Sequence, residues 1–270
     1  MSDDSDFEGF GENDMFQEPE GYFPPKPEPK LEEFARQADL VEPDTPSVLR
    51  VNLLGSHPLW GHYLWNAAKL FANYLDARKE IVRGKSVVEF GAAGALPSLV
   101  AVCDGARKVV VTDYPDADLV ENIRQNVEDN FPAELASGTV VVEGFKWGSE
   151  IEKIANLSGN DQRTFDVLIL SDLVFNHSEH THLLNSCWQL ITKPSETSKG
   201  GEAYVFFTHH RPWLAAKDME FIERAENELG LKAERVVEEY VGPMFEEDPG
   251  DERVRGTVHG FRLSFPGSTE

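Results

Sequence analysis

Cysteine is nearly absent from this chain, with two in 270 residues. Cys103 and Cys187 form no C-x-x-C pair, so they build neither a disulfide scaffold nor a thiolate zinc site and read as small buried hydrophobes on helices. Basic residues are scarce too: 25 Lys and Arg face 48 Asp and Glu, for a formal net charge of −23. Binding to nucleic acid by broad phosphate contact needs a basic face, so no direct nucleic-acid partner is expected, and a basic protein segment is the natural one. No apolar run approaches the ~18 residues of a membrane span, and nothing resembles a basic-plus-apolar leader. The expectation is a soluble, cytoplasmic protein with no membrane partner. Catalytic signatures are also missing. No H-E-x-x-H or acid-plus-histidine triad accompanies His177, His180, His182 or His209-His210; no metal is expected, and the histidines read as a solvated helix start. Without a G-x-S-x-G elbow, Ser-His-Asp catalysis has no support.

What the chain does have is Ser86 to Ser98, SVVEFGAAGALPS. An apolar run ending in an acid and then breaking into glycines and alanines marks a buried strand feeding a helix. Small residues there let a ligand approach the backbone, and the opening helix offers unpaired N–H groups. A second strand, VVVTDY, ends in Asp113, 22 positions beyond Gly91. An acid roughly 20 residues on is where a βαβ unit holds the ribose hydroxyls of an adenosine. The dinucleotide fingerprint requires glycine where this chain has Ala93 and Leu96. A P-loop is excluded because Gly84-Lys85-Ser86 precedes the strand and Lys79 stands at the earlier glycine position. The acid-x-Gly order Glu89-Phe90-Gly91 is similar to the first motif of seven-strand methyltransferases and favours S-adenosylmethionine.

Residues 1–47 carry fourteen acidic side chains against three basic ones, with abundant proline. They read as an acidic, mostly disordered tail. Inside it, Met15-Phe16 and Tyr22-Phe23 are either incidental aromatics or a short docking segment. Residues 48–270 read as one domain. The spacing predicts an amphipathic helix over Trp60–Lys79, then strands near 86–90, 107–112, 138–144, 165–170 and 202–208. Helices are expected near 96–104, 116–130, 178–192 and 214–229. Two final strands, 233–241 and 258–265, flank an acidic loop and suit an antiparallel edge. The fold class is α/β, a mostly parallel Rossmann-like sheet covered on both faces.

Glu89 sits at a strand end, facing either the amino-acid portion of the sulfonium or the N–H groups of the turn. Asp113 is the ribose acceptor. Trp147, in GFKWG, either lies against the adenine or is a core tryptophan. Ser171 and Asp172 end a strand too apolar to be exposed and face the same rim, toward cofactor or acceptor. Trp60 either covers the cofactor or anchors a helix.

The combination SHPLWGHYLWNA, GKSVVEFGAAGALPS, VVVTDYPDADLVENI, KWG and SDLVFNHSEH resembles the fungal protein N-terminal and lysine methyltransferases acting on translation elongation factor 1-alpha. These lie in the nicotinamide-N-methyltransferase-like, seven-strand branch. The resemblance runs from about Phe16 to the C-terminus, leaving the 246–253 loop unmatched. It implies an S-adenosylmethionine-dependent enzyme, expected as a monomer, with cofactor contacts from Trp60, Gly91-Ala92-Ala93, Asp113, Trp147 and Ser171. It places Phe175 and Asn176 on the substrate side. Where many relatives carry Asp-x-x-Tyr beside the acceptor amine, this chain reads Asp172-Leu173-Val174-Phe175, so any general-base role rests on Asp172 alone. A small-molecule N-methyltransferase, a nicotinamide oxidoreductase and a catalytically silent adenosine-binding scaffold are the competing readings.

Overall fold

The computed structural model describes residues 27–267; the aromatic segment Phe16 to Phe23 lies outside them. The chain opens with an antiparallel hairpin, β1 (Lys30–Ala35) and β2 (Val48–Leu53), followed by α1 (Asn66–Asp76). Strands and helices then alternate as β3 (Ser86–Phe90), α2 (Leu96–Cys103), β4 (Lys108–Asp113) and α3 (Ala117–Asn130). Next come α4 (Pro132–Ser137), β5 (Val140–Gly144), α5 (Glu152–Ala155), β6 (Val167–Ser171) and α6 (His180–Leu190). The last elements are β7 (Glu202–Thr208), α7 (Ala215–Leu229), β8 (Lys232–Tyr240), α8 (Glu252–Gly256) and β9 (Thr257–Ser264).

Seven strands form one sheet in the order β5-β4-β3-β6-β7-β9-β8; β3 to β7 are parallel and β9 runs antiparallel to both neighbours. This is the expected seven-strand α/β architecture with its antiparallel edge. Successive residues of the central strands enter opposite cores. Val87, Val109, Val111 and Ile169 pack toward α1, α2 and α3, while Val88, Val110, Leu168 and Leu170 pack toward α6 and α7. Burial of both phases explains why these strands read as continuous apolar runs. Chain order reverses between β3 and β6, and the crevice beyond the carboxyl ends of strands at such a reversal is where ligands bind. Among the described residues no helix is long and apolar enough to cross a membrane.

Two expectations are corrected. The first is the acidic tail, drawn to residue 47. Residues 30–35 form β1, and β2 alternates buried Leu49, Val51 and Leu53 with more exposed Val48, Arg50 and Asn52. The outer edge of β2 is satisfied by side chains of α3: Asn126 Oδ1 accepts the Asn52 N–H at 2.7 Å and Asn130 Oδ1 accepts the Arg50 N–H at 3.0 Å. Just past β1, the buried Arg36 guanidinium donates to both oxygens of Asp76, at 3.0 and 2.7 Å, and to Asp104 at 3.4 Å. A side chain on Gly55 would overlap the Pro27 carbonyl, so the chain enters the structure against the segment that follows β2. The second correction is the first helix, which begins at Asn66 rather than Trp60. Trp60 has φ +61°, a left-handed conformation that no helix accommodates.

Candidate functional site

The glycine turn after β3 is built from left-handed backbone. Gly91 has φ +57°, and a Cβ there would lie 2.6 Å from Leu173 Cδ2 and 3.3 Å from Trp147 Cζ2. Ala93 and Ala95 also have positive φ, +48° and +63°, which costs alanine energy that glycine escapes. Two contacts hold the turn on the end of β4. The Ala92 N–H donates to the Thr112 carbonyl at 3.0 Å, and the Ala93 N–H donates to Asp113 Oδ2 at 2.7 Å. The other oxygen of Asp113 accepts the Tyr114 N–H at 2.6 Å. Each oxygen keeps an acceptor lone pair. Burial raises the Asp113 pKa against the pull of these two N–H donors.

Glu89, at the end of β3, is fully buried. Its Oε2 accepts the N–H of Ser98 at 3.0 Å and also the Ser98 hydroxyl, whereas Oε1 has no partner. The bond to the start of a helix and the freedom to meet a ligand are thus divided between its two oxygens. Burial pushes this carboxyl up to about 8. Ser171, at the end of β6, is also buried with an unpartnered Oγ.

Asp172 follows with φ +57° and 5% exposure. Its Oδ1 accepts the Thr208 N–H at 3.2 Å and its Oδ2 accepts His210 Nε2–H at 2.9 Å. Phe175 presents its ring at a right angle to His210, and Asn176 Oδ1 accepts the Ser178 hydroxyl at 3.0 Å. Trp147 is half-buried against the core beneath α6. Trp60 is 50% exposed on the loop before α1.

All eleven residues singled out from the sequence line one cavity of about 770 Å³: Trp60, Glu89, Gly91, Ala92, Ala93, Asp113, Trp147, Ser171, Asp172, Phe175 and Asn176. Sequence reasoning missed other parts of the same wall, including His57, Tyr63, Trp65 and Asp116. His57 Nε2 lies 3.5 Å from Asp116 Oδ1. Asp116 could have been found, because its carboxylate caps α3 by accepting the Asp118 and Leu119 N–H groups, a pattern readable in Pro-Asp-Ala-Asp. His57, Tyr63 and Trp65 lie on irregular backbone, and the helical spacing from Trp60 onward points to a helix face rather than to a cavity wall. The histidines also differ from the solvated helix start expected. His180 is 2% exposed and donates to the Val174 carbonyl, while His177 and His209 both donate to Asp218, each at 2.7 Å.

The cavity fits an adenosine-bearing sulfonium. Two buried polar atoms on its lining residues, Glu89 Oε1 and Ser171 Oγ, await partners, while the missing side chain of Gly91 lets Leu173 and Trp147 close against the turn.

Residues 49–228 match the family model described as lysine methyltransferase. Over 264 residues, covering 97% of this chain and 98% of the relative, the sequence is 47% identical to the protein N-terminal and lysine N-methyltransferase efm7 of Schizosaccharomyces pombe. The protein of the same description from Kluyveromyces lactis is 41% identical over 96% of this chain and 99% of its own length. Among solved structures, a candidate RNA methyltransferase from Pyrococcus horikoshii superposes with TM-score 0.51 at 18% identity, covering 79% of this chain and 90% of that one. A candidate S-adenosylmethionine-dependent methyltransferase from Streptococcus mutans gives 0.54 at 15% identity, covering 80% and 53% respectively. These two likenesses carry the fold. With a family model over most of the domain and relatives alike from end to end, the chain belongs to the protein N-terminal and lysine N-methyltransferases, α/β enzymes that take their methyl group from S-adenosylmethionine.

Proposed function

We propose that this protein methylates the N-terminal α-amine of translation elongation factor 1-alpha and then the adjacent lysine. The observation that carries the donor side of the reading is a single cavity in which a glycine turn, two buried carboxyl groups and the Ser171-Asp172 strand end meet; the acceptor side rests on the family likeness, whose relatives are described as protein N-terminal and lysine N-methyltransferases. S-adenosylmethionine, when bound, supplies an electrophilic methyl group. In this assignment Asp113 accepts the ribose hydroxyls, Glu89 and Ser171 meet the amino-acid portion, and Trp147 lies against the adenine. Trp60 covers the mouth. Asp172 faces the acceptor amine, with Phe175 and Asn176 beside it.

Transfer from sulfonium to nitrogen is an in-line displacement that needs a neutral amine, so the protein's main contributions are alignment and exclusion of water. An α-amine, with a reference pKa of about 7.7–8.0, is partly neutral near physiological pH, whereas a lysine at about 10.4 needs more help. A mobile, lysine-bearing chain end suits the strongly negative protein, and it can present neighbouring nitrogens in turn to one methyl group. A cytoplasmic location, where translation factors work, belongs to the same proposal.

The test is to incubate the enzyme with labelled methyl donor and recombinant elongation factor, then map the methyl groups by mass spectrometry. Methylation at the α-amine and the next lysine is expected. Methyl groups only at internal lysines, or only on a pyridine such as nicotinamide, would rule this substrate out.

A further inference from the structure

Asp172 does not face the cavity as a lone carboxylate. Its left-handed backbone, φ +57°, is a conformation that persists in a non-glycine residue only where surrounding contacts over-determine it. Those contacts are the Asp172 N–H to the Phe206 carbonyl at 2.7 Å, the Thr208 N–H to Oδ1 and the His210 Nε2–H to Oδ2. All three come from β7 and the residues just beyond it. The His210 ring is wedged against Trp65, with centroids 4.9 Å apart, and Phe175, at 6.5 Å, and both of these aromatics line the cavity. Three carboxylates act on the imidazole: Asp172, Asp218 from α7, and Asp248 from the connection between β8 and β9. Its chain neighbours are committed elsewhere, His209 to Asp218 and Arg211 to the Phe175 carbonyl. Burial alone would depress the imidazolium; these carboxylates, Asp172 foremost, hold its pKa above the ordinary value.

An unbalanced buried carboxylate beside the acceptor would favour the ammonium form of that amine, and an ammonium has no lone pair to attack with. A carboxylate already matched by an imidazolium forms a neutral pair. It still accepts an N–H and fixes the direction of the nitrogen, but it exerts far less pull on the proton.

We propose that His210 is a positioning residue for methyl transfer, its imidazolium balancing Asp172 so that the carboxylate orients the acceptor amine in its neutral form. The inference rests on the reading above that the acceptor sits at Asp172. The ammonium first gives one proton to solvent. The nitrogen lone pair then forms the N–C bond as the S–C bond breaks, leaving a methylated ammonium and a neutral thioether, and a further round requires loss of one more proton to solvent.

The test is the pH profile of kcat/KM on the elongation factor, for wild type, His210→Gln and His210→Lys. Gln keeps an N–H donor without charge, and Lys restores the charge. Because a pKa shift displaces the limb of such a profile, His210→Gln should move it to higher pH by about one unit, a roughly tenfold loss near neutrality that closes at alkaline pH. His210→Lys should recover most of the neutral-pH rate, and donor affinity should match wild type in both variants. With Asp172→Asn as background, His210→Gln should cost nothing further, since the charge it balances is gone. A uniform loss at every pH, or a Lys variant no better than Gln, overturns the role. Wild-type activity on the elongation factor is scored first: its absence overturns the reading of the site, whereas normal wild-type activity with an unshifted Gln profile overturns the role of His210 alone.

Discussion

At the ends of β3 and β4, two buried carboxyl groups face one cavity from different surroundings. Asp113 is held by two backbone N–H groups, whereas Glu89 has one oxygen on Ser98 and one without a partner. With its pKa pushed up to about 8 by burial, Glu89 keeps its proton at neutral pH. An arriving cation favours the carboxylate, so donor binding near pH 7 should release a proton. Calorimetry in buffers of different ionisation enthalpy reads this directly; Glu89→Gln should abolish the buffer dependence, and its absence from wild type would sink the idea. The same shift links to stability. The folded group binds more protons than the unfolded one between about 4.5 and 8, so its contribution is full below that window and is lost as pH rises through it. For Asp113 the milder variant is Asn, whose one carboxamide oxygen can keep one of the two backbone contacts, whereas Ala would release both the Ala93 and Tyr114 N–H groups. Asp113→Asn should weaken donor binding at least tenfold, in keeping with the roughly 1.5–3 kcal/mol of a charged hydrogen bond. Unchanged affinity by calorimetry would remove the ribose assignment. These residues were legible because each ends an apolar strand. His210 was not, since its pairing with Asp172 spans 38 positions and follows from strands that adjoin only in the sheet.

Elements announced by periodicity came through within a few residues, from β3 to β9, because burial of whole faces leaves a mark in sequence. The hairpin was hidden for the opposite reason. β1 has a mostly exposed pattern, KLEEFA, and its order comes from Arg36 meeting Asp76 and Asp104, 40 and 68 positions away. Similarly, Trp60 to Trp65 has helical apolar spacing, yet a left-handed Trp60 and the wall of the cavity claim it. The ion cluster makes a strong prediction at this scale. Arg36→Ala leaves two buried carboxylates without their guanidinium, a change that costs about 3–5 kcal/mol. Urea unfolding should show a lower midpoint of that size; a loss under about 1 kcal/mol, the level of an exposed pair, would mean that the cluster does not hold the hairpin.

Over the whole molecule, the charge of −23 bears on encounter more than on folding. Residues 1–26 carry part of it together with Phe16, Tyr22 and Phe23. A truncation should stop short of Pro27, which rests on Gly55, so that the hairpin stays intact. Removing residues 1–26 should leave donor affinity and melting temperature unchanged but lower kcat/KM on the elongation factor. The deficit should shrink as salt screens the charge. Equal turnover of the two enzymes at low and physiological salt would make the segment a spectator.

The contact between Pro27 and Gly55 also determines how the missing piece could be returned. It sets Pro27, from which residues 1–26 depart, beside Gly55, two positions before the cavity-lining His57. Any contact the segment makes there is intramolecular, with an effective concentration in the millimolar range for so short a tether. A free peptide of the same sequence, added to the truncated enzyme, should therefore match the occupancy of the tethered segment only near that millimolar concentration.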